Sequence, residues 1–208
     1  MAELRVPPGR AGRLWLGDRL ATARRAATLL DHKLHVLRTE RERLVLTADR
    51  TRTRWIAVQR EADLWLTRAA VLGGQREIRF GTAEHLAEVT LTWDAVMGVR
   101  YPGEAVCALP AEPAGSRSPG TAALIEATVA HGRALRAAVE HAAATAACRI
   151  IETETRETRR RLHAIADRWI PRLESALRGL DERLEEAERS EAVQLRWAAG
   201  RTGSGGAP

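Results

Sequence analysis

TRRRLHAIADRWIPRLE, residues 158–174, is the stretch on which the fold turns. Leu162, Ile165 and Trp169 recur at steps of three and four, so on a helix they share one apolar face. The same stretch holds three consecutive arginines and Pro171, neither of which an ordinary surface helix needs. Proline has no amide hydrogen, and losing the bond to the carbonyl of Asp167 normally costs about 3 kcal/mol inside a helix. Read alone, Pro171 marks a helix end at Trp169–Ile170. The apolar series nevertheless resumes at once as Leu173, Leu177, Leu180, Leu184 and Ala187. Around Trp169 and Leu173 it takes successive four-residue steps, a stutter that locally unwinds a supercoil. The expectation is therefore one continuous helix with a mild bend or loosened turn at the proline and no bond to Asp167.

Toward the N-terminus the periodicity is more regular still. Residues 1–10 form an irregular lead-in, because Pro7, Pro8 and Gly9 oppose helix. Leu16, Leu20, Ala23, Ala27, Leu30, Leu34 and Leu37 then alternate steps of four and three. The register continues through Leu44, Ala48, Trp55, Val58, Ala62, Trp65, Ala69 and Leu72, broken only by Arg41 and Thr51. A repeat of 3.5 residues sustained this long is a coiled-coil seam. A helix over 11–72 is predicted, ended by Gly73-Gly74 where a left-handed cap is usual.

Composition agrees with this reading. Aromatic residues are only 4% of 208, charged residues are 29%, and Leu, Ala, Glu and Arg dominate, as in long helices. A net charge of +6 makes a polyanionic partner a class to weigh. The acids and bases interleave, though, and no aromatic-lined basic platform is present, which argues against nucleic acid. Cys107 and Cys148 are far apart and in no CxxC, so reduced thiols and a cytosolic setting are expected. The N-terminus MAELRVPPGR lacks the apolar core of a signal peptide, and no run is long and apolar enough to insert in a bilayer.

The middle of the chain, 73–120, differs in kind. Val89, Leu91 and Trp93 alternate with polar neighbours, predicting short strands near 87–93 and 96–101 joined around Asp94-Ala95. PAEPAGSRSPG (110–120) reads as a flexible loop. A second coiled-coil helix follows over 121–199, with Thr121 as N-cap and an Ala-rich first part that permits close helix approach, and then a disordered tail over 200–208. Charge favours folding the second helix back antiparallel on the first. Six acids against two arginines in Asp181–Glu191 would then lie beside Arg10, Arg13, Arg19, Arg24 and Arg25. The predicted fold is thus mainly α: a long antiparallel two-helix coiled coil with a small β-hairpin insert. Its seam comprises Leu16, Leu20, Leu30, Leu34, Leu37, Leu44, Trp55, Val58 and Trp65 on the first helix. On the second it comprises Leu162, Ile165, Trp169, Leu173, Leu177, Leu180 and Leu184.

No chemistry emerges from the polar residues. His32, His35, His85, His131, His141 and His163 form no HExxH and no metal constellation. Glu84-His85 and Asp94 form an acid–base group only on paper, and neither cysteine has an activating partner. Arg159–Arg161 wrap most of a helix turn, so a solvated collar and a contact surface both fit them. No catalytic residue, cofactor or metal is expected.

The segment from Thr158 to Glu191 resembles the C-terminal signature of the D subunits of the V/A-type rotary ATPases, a TxRRVNAL-like run followed by IPRLE and a charged helix. The matching residues include Thr158, Arg160, Arg161, Ile170, Pro171, Arg172, Leu173 and Glu174. Arg19-Leu20, Ala23, Leu29-Leu30, Lys33 and Leu37 fit the family's N-terminal helix. Departures are Pro8-Gly9-Arg10 for a PTR-like start, His163 for a frequent Asn, and the poorly matching middle. The resemblance implies a non-catalytic rotor axle standing in a ring of catalytic and nucleotide-binding subunits. It also implies a small companion rotor subunit and an adaptor to the membrane ring as partners, in a complex peripheral to the membrane on the cytoplasmic side. The 158–174 segment is expected to pair with the first helix around residues 40–55. Seam periodicity alone also fits a self-associating structural coiled coil, and basicity alone a nucleic-acid binder.

Overall fold

A computed structural model describes residues 5–80, 85–110 and 120–203, with the side chains of 80 and 199–203 left aside. The order of elements is α1 (Gly9–Phe80), β1 (Glu88–Val96), β2 (Val99–Ala108), α2 (Ala122–His163), a π-helical segment (Ala164–Trp169) and α3 (Ile170–Gly203). The chain is mainly helical, with a long helix on each side of a two-stranded antiparallel hairpin. It divides into two compact units. Unit 1 combines the chain ends, Met1–Lys33 and Thr158–Pro208, and unit 2 is the contiguous Leu34–Glu157.

Unit 1 is an antiparallel helix pair. Leu16, Leu20 and Ala23 of α1 are buried against Leu173 and Leu180 of α3, with Ile165, Trp169, Leu177 and Leu184 packed around them. Removing a leucine side chain from water is worth roughly 1.5–3 kcal/mol, so this short apolar stack supplies most of the cohesion. Ion pairs flank it: Arg10–Glu188 at 3.0 Å, Arg13–Asp181 at 2.9 Å and Arg24–Glu174 at 2.7 Å. Ascending numbers on α1 meet descending numbers on α3, the antiparallel direction that the charges imply. Of the other arginines expected there, Arg19 lies over the Trp15 ring at 5.1 Å and Arg25 donates to Thr22. Because Arg24 meets Glu174, the 158–174 segment does not pair with residues 40–55. The register is set by which apolar layers can stack, and those are Leu16 to Ala23 with Leu173 and Leu180.

Unit 2 pairs the remainder of α1 with α2 and adds the hairpin. Ala62 packs with Ala130 and Ala134, and Ala69 with Ala123, Leu124 and Ala127, while Trp65 flanks both layers. The small side chains let the backbones approach closely, as the Ala-rich sequence implies. Arg54–Glu140 (2.7 Å) and Arg133–Glu61 (3.1 Å) run antiparallel along the rim. α2 begins as expected, the Leu124 amide donating to Thr121 Oγ1 at 3.3 Å.

Four local features differ from expectation. Helix already starts at Gly9-Arg10. It does break at Gly74 (φ 69°, ψ 177°), but it resumes through Phe80 rather than ending at Gly73-Gly74. One glycine in that conformation redirects the chain, and Gln75 onward carries no further breaker. At the other end α3 continues through Gly200 to Gly203, within the stretch expected to be disordered. The hairpin turn is Met97-Gly98, not Asp94-Ala95, which lie inside β1 paired with Tyr101 and Arg100. A two-residue loop of type I′ has positive φ at both centres, here 47° and 79°, and Gly98 adopts this without strain. The expected 110–120 loop falls, except for Pro110 and Gly120, outside the described residues, as do Glu84 and the last five residues of the tail.

Candidate functional site

The residues expected in the seam are all at least half-buried. Leu16, Leu20, Leu34, Leu37, Leu44, Leu173 and Leu180 are buried, and Leu30, Trp55, Val58, Trp65, Leu162, Ile165, Trp169, Leu177 and Leu184 are half-buried. Leu72, the last residue of the N-terminal series, is instead 69% exposed, next to the glycine pair that ends the regular repeat. Among the signature residues, Thr158 and Leu173 are fully buried, Ile170, Arg172 and Glu174 half-buried, and Arg160, Arg161 and Pro171 exposed. This arrangement offers a stiff, layered surface rather than a pocket with convergent reactive groups.

The helix is loosened where Pro171 requires it. The six residues Ala164–Trp169 adopt π geometry, and the Ile170 amide donates to the Ile165 carbonyl, five residues back. Pro171 lies one residue further on and has no proton to offer. His163 Nδ1 and Asp167 Oδ2 bridge the outer surface of this segment at 2.9 Å.

Unit 2 contains two polar arrangements that were not expected from the sequence. Tyr101, the sole tyrosine of the chain, is buried with Leu37, Leu44, Ala147 and Ile151. Its hydroxyl donates to Glu40 Oε1 at 2.7 Å, and Glu40 also accepts from Arg43 Nη2 at 2.6 Å. The Arg43 bond, with a smaller contribution from Tyr101, holds the Glu40 carboxyl below its ordinary range against the opposing effect of burial. Burial pushes the Tyr101 phenol up, and the Glu40 charge adds to this. The triad fastens the hairpin to α1. In the second arrangement, Thr51 Oγ1 lies 3.3 Å from His141 Nδ1 and the His141 ring stacks on Trp55 at 5.5 Å. The break at Thr51 in the apolar repeat was the visible sign that a polar partner lay opposite.

Among the described residues no group of three His, Cys, Asp or Glu could hold a metal ion, and no helix is long and apolar enough to cross a membrane. His163 pairs with Asp167, and His131 Nδ1 lies 2.9 Å from its own helix at the Ala127 carbonyl. Asp94 faces Gly103, where an added Cβ would stand 2.8 Å from Asp94 Oδ2 and the carboxylate would have to shift. Burial raises the thiol pKa of Cys148, the opposite of what an activated nucleophile needs. Near the end of α3, Leu195 and Trp197 are 71% and 72% exposed.

Comparison with known proteins agrees with this geometry. The sequence profile of the family described as the ATP synthase D subunit matches residues 14–200, which takes in both long helices and the hairpin between them. The D subunit of the A-type ATP synthase of Methanopyrus kandleri is 30% identical over 199 residues, covering 92% of this chain and 84% of the archaeal protein. With the family profile matched over most of its length, the chain belongs to the ATP synthase D-subunit family and is a component of a V/A-type ATPase.

Proposed function

We propose that the chain is the central rotor shaft of this ATPase, carrying rotation between the catalytic ring and the membrane rotor ring, and that it contributes no catalytic group itself. The observation that carries the reading is the antiparallel helix pair of unit 1. Its buried side chains are apolar apart from Thr158, and its outer faces are lined with paired charges. A shaft must resist bending and present a different face to each surrounding subunit, and a two-helix pair does both without reactive groups. Its partners in this role are the catalytic and nucleotide-binding subunits of the head, a small companion rotor subunit and the adaptor of the membrane ring, in a complex peripheral to the membrane on its cytoplasmic side. ATP hydrolysis would turn the shaft to drive ion transport, or ion flow would turn it to drive synthesis.

The test is direct observation. A probe fixed to the exposed end of α3, in a complex reconstituted with immobilised catalytic subunits, should rotate when ATP is added. A chain that assembles yet stays stationary during turnover refutes the shaft role. Leu177→Asp should prevent assembly, whereas His85→Ala and Asp94→Ala should leave turnover within a few-fold. A much larger loss from either Ala variant, with assembly intact, would reveal a catalytic contribution.

A further inference from the structure

One series of buried positions on the second long helix keeps a strict count. Ala123, Ala130, Ala137, Ala144, Ile151 and Thr158 fall seven residues apart and all are buried, and half-buried Ile165 continues the series. The next fully buried residue is Leu173, followed by Leu180 after seven more. The step from Ile165 to Leu173 is eight. One surplus residue has therefore entered the heptad count, and the π segment Ala164–Trp169 sits where it entered. Each residue of an α-helix advances the chain by about 100° around the axis. In unbroken α geometry the surplus residue would turn Leu173, Leu180 and Leu184 about 100° away from Leu16 and Leu20. A ring closed five residues back encloses one residue more than a ring closed four back, so the π segment absorbs the surplus. Both flanks are ordinary right-handed helix, with His163 at φ −60°, ψ −40° and Ile170 at φ −59°, ψ −53°. After the Ile170 bond to Ile165, the donor that would carry the π register on to Ala166 is Pro171, which has none.

We propose that Ala164–Trp169 is a one-residue phase insert held open by Pro171. It sets the rotational phase of α3 against α1, and it is the least-bonded place in the helix, a joint at which α3 twists about its own axis. No residue of the segment is fully buried and only Ile165 and Trp169 of it pack at the edge of the unit 1 core, so the insert is held chiefly by the fully buried layers on either side. The inference concerns the helix itself and stands apart from the shaft reading.

Deletion tests it on the full chain. Removing exposed Ala164 takes away the surplus residue and should return the segment to α geometry with Leu173 and Leu180 still facing α1. This variant should melt at or above the parent temperature, and exchange of the Trp169 and Ile170 amides should slow by about tenfold or more. Removing exposed Arg178 from regular α-helix should instead rotate Leu180 and Leu184 off the seam and lower the melting temperature. The proposal is overturned if the Ala164 deletion unfolds unit 1 as the Arg178 deletion does. It is equally overturned if the Arg178 deletion leaves stability unchanged, or if the two amides in the parent exchange no faster than those of the flanking helices.

Discussion

Leu173→Ala gives the most quantitative check on the helix pair of unit 1. Leu173 is fully buried against Leu16, Leu20, Ala23 and Leu180, so truncation removes three carbons from the apolar stack. At about 0.8 kcal/mol per buried carbon the transfer loss is about 2.4 kcal/mol. A cavity would add to this in a thick core, but a two-helix layer has solvent on two sides and can close over the gap, so the low end of the 2–5 kcal/mol range for Leu→Ala applies. For a chain of this length about 2–3 kcal/mol corresponds to a fall of roughly 4–12 °C in the melting temperature of the chain. Trp15 and Trp169 both pack on this core, so tryptophan fluorescence melting reads the unit once Trp55, Trp65, Trp93 and Trp197 are replaced by Phe in parent and variant alike, with far-ultraviolet circular dichroism alongside. Leu195→Ala serves as the comparison, because that side chain is 71% exposed and its loss should stay within about 0.5 kcal/mol. Equal effects from the two substitutions would refute the burial assigned to the seam.

Two further predictions address unit 2. Because the Glu40 carboxyl is held below its ordinary range, its contribution to stability is complete above the unfolded carboxylate pKa of about 4.3 and is lost as pH falls through the lower folded value. Tyr101→Phe should cost about 1–2 kcal/mol and flatten that acid limb, as read by urea melts across the acid range. Gly98→Ala should weaken the hairpin by about 1–2 kcal/mol through backbone strain alone, because φ is +79° while nothing lies within 4 Å of the added carbon; faster exchange of the β1 amides would register it.

The helices were legible because their periodicity is redundant. Losing Arg41 or Thr51 from the repeat does not erase a seam spelled out by fifteen other positions. Pairing direction was legible for a similar reason, since Arg10 and Arg13 face the acid-rich Asp181–Glu191 end, while Arg24 meets Glu174 just outside it. Register was not, because many offsets of an Ala- and Leu-rich repeat look alike and only the stacking of particular layers chooses among them. The hairpin was visible in its alternation but misplaced in its turn: Gly98 carried the turn signal, and Met97 at positive φ has no sequence precedent to follow. The Tyr101–Glu40–Arg43 fastening joins residues 61 apart and leaves no local trace. Pro171 announced a disturbance, and the eight-residue step from Ile165 to Leu173 could have told its kind, had buried positions been known.

The construction of unit 1 from both chain ends also bears on how the protein is made. Arg10 finds Glu188 only after 178 further residues have been synthesised. At about 5–20 residues per second that wait is roughly 9–36 s, during which Leu16, Leu20 and Ala23 have no partner stretch to cover them. Leu34–Glu157 is complete in one uninterrupted length and can close while the remainder is still being translated. The ribosome therefore releases a molecule whose early-made Leu16 segment is the last to be covered. It is this waiting apolar face of α1, rather than the finished helix pair, that a chaperone binding nascent chains would meet.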